Sequence, residues 1–357
     1  MTQQAPKRLL DVEEVAPHVV LVNTVLGNVP SYAALSHCWG TIRIITTTRQ
    51  TYKQRLACIA FQDLSQTFKD AVTLCRALKV RHLWIDSLCI IQDDVQDWQA
   101  EASKMASVYE NARLVLSATA AADGSVGCFG PRSSEATRVY FTEEEMGGAQ
   151  IWARDIITHH EFSELPFGYQ KTPPLFKRAW CFQERLLATR IIHFTNLEMV
   201  WECKSGFGCE CGDGGGSVGS NGTFHQILSQ ATSMVGTDTL TETIQQWWNL
   251  ILDYTRRDIT NESDILPALA GLASRFQEAF PVSGAYLTLS FLDQITFHIS
   301  QRCPRSLGTW YLLCRFVEVS SGESSKLAIC SYPSSLPPSD VGKYCPIVHL
   351  GITNWAN

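Results

Sequence analysis

The sequence predicts an α/β fold: a mostly parallel sheet flanked by helices, with a helical C-terminal add-on and an irregular tail. Three observations predict it. Short β-rich runs alternate with segments of helical period between residues 32 and 122, and that alternation feeds parallel pairing through crossover connections. The run HLWIDSLCI (His82–Ile90) is nearly continuous rather than alternating, as in a strand buried on both faces. After Cys211 the texture turns Gly-rich and then helical.

The elements follow in order. RLLDV and HVVLVN read as two short strands, and YAALSHCW (Tyr32–Trp39) as a third that stops at Gly40. TIRIITTT (Thr41–Thr48) is β-branched throughout and predicts another strand. In LSQTFKDAVTLCRALKV, Phe68, Val72, Leu74, Cys75 and Leu78 fall at helical spacing, with Asp63 or Ser65 as N-cap. Asp94 caps a helix over Val95–Ala112, whose apolar stripe is Trp98, Met105, Tyr109 and Ala112. RLVLSATAA is a strand. Polar loops follow, holding the short strand QIWAR. FKRAWCFQERLLA predicts a helix, and RIIHF and LEMVWEC predict strands. CGDGGGSVGSNGT is a linker. TETIQQWWNLILDYTRRD and SDILPALAGLASRFQEAF are two helices. The expected organisation is N-terminal strands at 1–30, a main domain at 31–211, the linker at 212–224, a helical extension at 225–286 and an atypical tail at 287–357.

Composition narrows the function. The 357 residues are 45% hydrophobic with a net charge of −6, and no basic stripe is present, which argues against a nucleic-acid partner. The opening MTQQAPKRLLDVEEV reads as neither signal nor transit peptide. No run approaches the ~20 apolar residues of a membrane span. The thirteen Cys then read as reduced thiols of a cytoplasmic protein, and the sequons at Asn221 and Asn261 as coincidence.

Several positions carry chemistry. Asp86 ends an apolar strand where ligand crevices form in open α/β sheets. It can bind a ribose hydroxyl, a cation or a basic side chain, or simply cap the next turn. Glu101 sits inside the apolar stripe of its helix, so it must be paired or neutral, for instance with Arg178 or Arg185. In RAWCFQERLLATR, Trp180, Gln183 and Glu184 share a face by the three-and-four rule. They can hold a nucleotide-like ring and its ribose, or lock the helix to the sheet. Ser36 and Cys38 lie on one face of their strand and His37 on the other, so the three are no triad by themselves. A Cys–His pair with Cys89 or Cys181 needs folding to assemble, and a buried inert thiol is the alternative for each. Cys203, Cys209, Cys211 and His225 are a ligand set that zinc accepts, although the spacing is not that of a standard finger. GGGSVG (Gly214–Gly219) fits a dinucleotide fingerprint by letter only, with no strand before it and no helix opening within it.

Three blocks, taken together, carry a resemblance: YAALSHCWG (Tyr32–Gly40), LWIDSLCIIQDDVQDWQAEASKMASVYENARLVLSATAA (Leu83–Ala122) and RAWCFQERLLATRIIHF (Arg178–Phe194). In this order and spacing the chain resembles the heterokaryon incompatibility (HET) domain of filamentous fungi over about Tyr32 to Cys211. WWNLILDYTRRDITNESDILPALAGLA looks like the usual continuation. The resemblance implies nonself recognition ending in programmed cell death, with other incompatibility proteins or further copies of the chain as partners. It also implies a TIR-like, flavodoxin-like sheet. By analogy with TIR domains that cleave NAD, it offers NAD as a substrate, Glu184 or Glu101 as catalytic carboxylates and Asp86 beside them. Ser36, Trp39, Cys89, Gln92, Arg178, Trp180, Gln183 and Arg185 are the candidate ligand-binding residues from the matching blocks. A tailoring enzyme of secondary metabolism and a non-catalytic scaffold are the other readings. No receptor module accompanies the domain, so the chain reads as an effector or a fragment. The family's Gly-Leu-Trp and Trp-Ser-Trp segments are missing after GAYL, and residues from about Thr288 read as a shifted frame or retained intron.

Overall fold

The N-terminal runs pair with each other and set the pattern of one edge of the sheet. The computed structural model describes residues 5–13, 16–25, 27–130, 132, 137–140, 150–153, 162, 172–212, 220–231, 246–247, 249–279, 310–311 and 332–333. The expectations for most of the linker and the tail therefore lie outside the described residues. Two units are distinguished: Met1–Gln246 with Arg256–Phe280, and Trp247–Thr255 with Pro281–Asn357.

In the first unit the chain runs β1 (Arg8–Asp11), β2 (His18–Asn23), β3 (Tyr32–Ser36), α1 (Tyr52–Ala57), β4 (Ile59–Ala60), α2 (Gln66–Ala77), β5 (His82–Trp84) and α3 (Asp86–Cys89). It continues with α4 (Val95–Ala102), α5 (Met105–Asn111), β6 (Leu114–Ser117), β7 (Thr137–Tyr140), β8 (Gln150–Ala153), α6 (Ala179–Leu187), β9 (Arg190–Phe194), β10 (Met199–Cys203), β11 (Gly206–Cys209), α7 (Ser220–Ala231) and α8 (Pro267–Ala279). Among the described residues, nine strands form one sheet in the order β11-β10-β9-β6-β3-β5-β1-β2-β4, and β7 and β8 form a separate antiparallel ribbon. In the second unit, residues 247 and 249–254 have helical backbone, and β12 (Trp310–Tyr311) pairs antiparallel with β13 (Tyr332–Pro333).

The α/β class holds, but the sheet is mixed. The four central strands β9, β6, β3 and β5 pair in parallel. The five outer pairings are antiparallel. The helical crossovers of the middle of the chain yield the parallel centre. The short connections at either end, β1 to β2 and β9 through β11, can only return antiparallel. Three local expectations also change. Thr41–Thr48 is not a strand: Thr47 is buried, donates its amide to the Ser87 carbonyl (2.9 Å) and its hydroxyl to the Leu88 carbonyl (2.7 Å), and so serves the turn after β5. His82–Ile90 splits, because the backbone turns helical at Asp86. The helix expected over 95–112 breaks at Ser103, whose hydroxyl donates to the Ala100 carbonyl (3.0 Å) and competes with the helical ladder.

The caps follow the sequence. Ser65, not Asp63, caps α2 by accepting from the Phe68 amide, and Asp94 accepts from the amides of Gln96 and Asp97. The core lies along β3, β5 and β6, where Leu35, Leu83, Trp84, Val115 and Leu116 are fully buried. Trp84 packs edge-on to Tyr109 of α5, and Trp39 and Trp180 pack against the same core.

The topology also marks one end of the sheet, the end at which ligand crevices form in open α/β folds. From β3 the chain leads on to β5 on one side, and from β6 to β9 on the other. The carboxyl ends of β3 and β6 are therefore a switch point, where the two loops part. Gly40 marks it: its φ is +64°, and a Cβ there would lie 2.2 Å from Asp123 Cβ and 2.9 Å from the Ala122 carbonyl oxygen. Gly40→Ala is expected to cost the ~1–2 kcal/mol of a left-handed non-glycine residue plus the displacement of the 122–123 loop. The check is the urea midpoint, which should fall with little change in slope.

Candidate functional site

The strand ends deliver the polar residues in alternation. Ser36 and His37 are neighbours on extended backbone, so their side chains leave opposite faces of the sheet. Ser36 donates to Glu184 Oε2 of α6 at 2.5 Å, and His37 sits edge-on to Phe68 of α2, 5.1 Å between ring centroids. Helices thus cover both faces where the crevice opens. Cys38, on the Ser36 side, packs with Leu175 and Cys181.

Asp86 is the hub of the β5 end. Its carboxylate accepts from Trp39 Nε1 (2.8 Å) and from the Ser87 amide (2.7 Å), while its carbonyl accepts from Gln92 Nε2 (3.0 Å). His37 Nε2 lies 3.7 Å from Asp86 Oδ1. It is buried and has no hydrogen-bond partner among the described residues. Arg178, just before α6, donates to the His37 carbonyl at 2.7 Å. Burial holds the His37 imidazole below its usual range; the Asp86 carboxylate opposes this and the Arg178 charge reinforces it. The ring is therefore neutral at pH 7.

Glu184 is tuned towards neutrality. Burial pushes its carboxyl up to about 7. The like charge of Asp86 adds to the rise, while the hydrogen bond from Ser36, the Arg178 charge and the neighbouring Tyr109 hydroxyl limit it. The Tyr109 hydroxyl donates to the Leu35 carbonyl at 3.0 Å, and burial raises it well above the usual phenol range. A carboxyl that exchanges its proton near neutrality, a fixed guanidinium and a second carboxylate can handle protons or hold a polar ligand.

The structure thus gathers Ser36, Trp39, Asp86, Gln92, Arg178 and Glu184 from the expected set. His37 and Tyr109 join them. The signal for His37 was its place beside Ser36 on the other face of the strand; for Tyr109 it was only membership of an apolar stripe.

Other expected residues go elsewhere. Glu101 is buried and paired, but with Lys104 Nζ and the Lys7 amide, each at 3.0 Å, rather than with Arg178 or Arg185. The break after α4 brings Lys104 back over it. Cys89 is fully buried in the main core, its thiol pushed up to about 12 by burial, and it is no ligand of the crevice. Burial raises Cys38 and Cys181 as well, so no thiolate pairs with a histidine here.

Trp180 and Gln183 reach the segment that holds Asp264 and Gly271. Trp180 Nε1 donates to Asp264 Oδ2 (3.1 Å), and Gln183 Oε1 would lie 2.6 Å from a Cβ on Gly271 of α8. Gly271→Ala is therefore expected to push α8 off α6 and α5, because the new Cβ also meets Ala106 Cβ at 2.6 Å. Thermal unfolding reads the loss, expected at about 1–3 kcal/mol.

Arg185 faces a different network. It forks onto Glu202 (2.7 and 3.0 Å) and stands over the rings of Phe176 and Phe162. Glu202 Oε2 lies 2.8 Å from His193 Nε2, and His193 Nδ1 lies 3.0 Å from the Thr119 hydroxyl. All of these polar groups are buried. Since a carboxylate only accepts, His193 donates from Nε2 and Thr119 donates to Nδ1.

The four expected metal ligands do not converge. Cys209 and Cys211 meet, with their sulfurs 2.7 Å apart. Cys203 lies near Ser205 instead, and His225 packs against the backbone of Leu186 and Ala188.

Residues 32–184 match the family model described as Heterokaryon incompatibility protein (HET). No curated protein and no solved structure matches the chain. The matched segment begins at the first residue of β3 and ends at Glu184, so it holds every residue of the crevice, from Ser36 through Asp86 and Arg178. Over residues 32–184 this chain is similar to the HET family.

Proposed function

We propose that this protein is an effector of fungal nonself recognition, whose HET domain triggers programmed cell death after engaging other incompatibility proteins or further copies of itself. The crevice of Asp86, His37, Arg178 and Glu184 is the centre on which that output depends. The observation that carries the reading is the HET match over residues 32–184, which takes in the whole crevice. The site of action is the cytoplasm; no helix among the described residues is long and apolar enough to cross a membrane. The test is controlled expression of the full chain in a compatible fungal strain. Viability should collapse on induction. Normal growth with folded protein accumulating would remove the reading.

One observation favours a second, catalytic reading: Glu184 carries a carboxyl tuned to about 7 beside Arg178 and Ser36 at the ends of parallel strands. In that reading the crevice hydrolyses NAD: water replaces nicotinamide at the ribosyl carbon, and Glu184 takes the water's proton. Concentrated protein incubated with NAD should release nicotinamide, and Glu184→Gln should stop it. No release from the concentrated wild type leaves the signalling reading alone.

A further inference from the structure

The last hairpin of the sheet puts two thiols and a carboxylate on one face. β10 and β11 pair antiparallel with Val200 opposite Cys209 and Cys203 opposite Gly206. Continued by two residues, the same register sets Glu198 opposite Cys211, and the Cys211 amide donates to Glu198 Oε2 at 2.7 Å. Directly opposed residues, and residues two apart, share a face of a strand pair. Glu198, Cys209 and Cys211 therefore lie on the same side, the side of the buried Val200 and Glu202. Cys203 is one step out of phase and takes the other.

The turn before β10 fixes the carboxylate. The Thr195 hydroxyl donates to the Glu198 carbonyl (2.6 Å) and accepts from the amides of Leu197 (3.2 Å) and Glu198 (3.0 Å). Glu198 is buried, whereas Cys209 and Cys211 are half-buried. One donor atom from each of the three lies within 4.8 Å of the other two.

We propose that Glu198, Cys209 and Cys211 hold a zinc-class divalent ion that clamps the outer strand β11 to the turn at 195–198. Thiolate and carboxylate are an accepted donor set for zinc, and three protein ligands leave one position for water or a further donor. Binding displaces both thiol protons to solvent. The sulfurs, 2.7 Å apart, must separate to roughly 3.8 Å to share one tetrahedral ion. A turn of the Cys211 side chain, beyond the end of β11, supplies that. The competing fate is a disulfide between the same two residues, formed by losing two protons and two electrons to an oxidant such as glutathione disulfide.

Cobalt(II) is the probe. Added to the reduced full chain, it should bind one per molecule, with a thiolate-to-cobalt charge-transfer band and tetrahedral visible bands. Zinc should displace it and raise Tm. Cys209→Ser and Cys211→Ser should each abolish the charge-transfer spectrum at equimolar metal, and Glu198→Gln should weaken binding at least tenfold. Cys203→Ser and His225→Ala should leave affinity unchanged, and far-ultraviolet circular dichroism verifies that every variant is folded. Two results overturn the proposal. One is no cobalt spectrum from folded, reduced wild type. The other is a spectrum that survives Cys209→Ser but not Cys203→Ser. A chain isolated without reductant that is 2 Da lighter at these two cysteines, and takes up no metal after reduction, assigns the pair to the disulfide instead.

Discussion

Arg185→Met is expected to lower the unfolding free energy by about 3–5 kcal/mol, because it strands a buried carboxylate. Glu202 is fully buried, and its acidity depends on its partners. Burial alone would raise its carboxyl; the charge of Arg185 and the bonds from Arg185 and His193 overcome this and hold it at about 2. Methionine fills the space between the Phe162 and Phe176 rings without the charge. At ~2–4 °C per kcal/mol for a domain of this size, Tm should fall by about 10 °C. The wild type carries a matching acid signature. Because the Glu202 carboxyl ionises more readily in the folded chain than in the unfolded one, its contribution is complete above pH ~4.5 and is lost as pH falls towards about 2. Arg185→Met should flatten that acid limb. The double change Arg185→Met with Glu202→Leu should recover most of the loss, since it removes the stranded charge itself. A single variant as stable as wild type would mean that His193 alone satisfies Glu202.

Glu184→Gln is expected to act in the opposite direction, and to depend on pH. The Glu184 carboxyl is less acidic folded, at about 7, than unfolded. Below pH ~4.5 both states hold the proton and the group contributes no pH dependence. Between pH ~4.5 and ~7 the folded state keeps its proton and the unfolded state loses it, so stability falls as pH rises. Above about 7 the full cost of the buried charge stands, about 3 kcal/mol. Glutamine keeps the shape and cannot ionise. The variant should thus match wild type near pH 4 and be more stable by up to about 3 kcal/mol at pH 8, as read by denaturant titration at the two pH values. A difference that does not change with pH would show that Arg178 already neutralises the carboxylate. Cell killing should weaken in the same variant, the pattern of a residue retained at a cost in stability.

What the sequence made legible follows from what is local. Ser65 and Asp94 cap their helices as read, because capping needs only the next three amides. Ser36 and His37 take opposite faces as read, because strand parity is local too. The parallel centre of the sheet was visible in the strand–helix alternation. Of its antiparallel flanks, the pairings β1–β2 and β9 through β11 follow from short connections, whereas β1–β5 and β2–β4 join distant segments that no local pattern relates. Thr41–Thr48 misled because β-branched residues can be buried without joining a ladder; Thr47 spends its hydrogen bonds on the Asp86 turn. At the site, Asp86 stands out as the end of an apolar strand and Glu184 as a helix-face neighbour of Gln183, but Gln183 lies against Gly271. Adjacent helix positions differ by about 100°, enough for Glu184 to face the sheet and Gln183 to face Gly271. The partner of Glu101 was missed because a helix break cannot be read from an unbroken apolar stripe. Glu198 is not legible as a neighbour of Cys209 and Cys211, because its nearness depends on the register of the hairpin.

The proposed function requires the cluster of Asp86, His37, Arg178 and Glu184 at the strand ends to be the working centre. The direct test is induced expression of Asp86→Asn and Arg178→Lys at matched protein levels, with Tm recorded for each and viability as the readout. Both variants should stay folded within a few degrees of wild type and lose at least tenfold in killing. Killing at the wild-type level by both folded variants would contradict it.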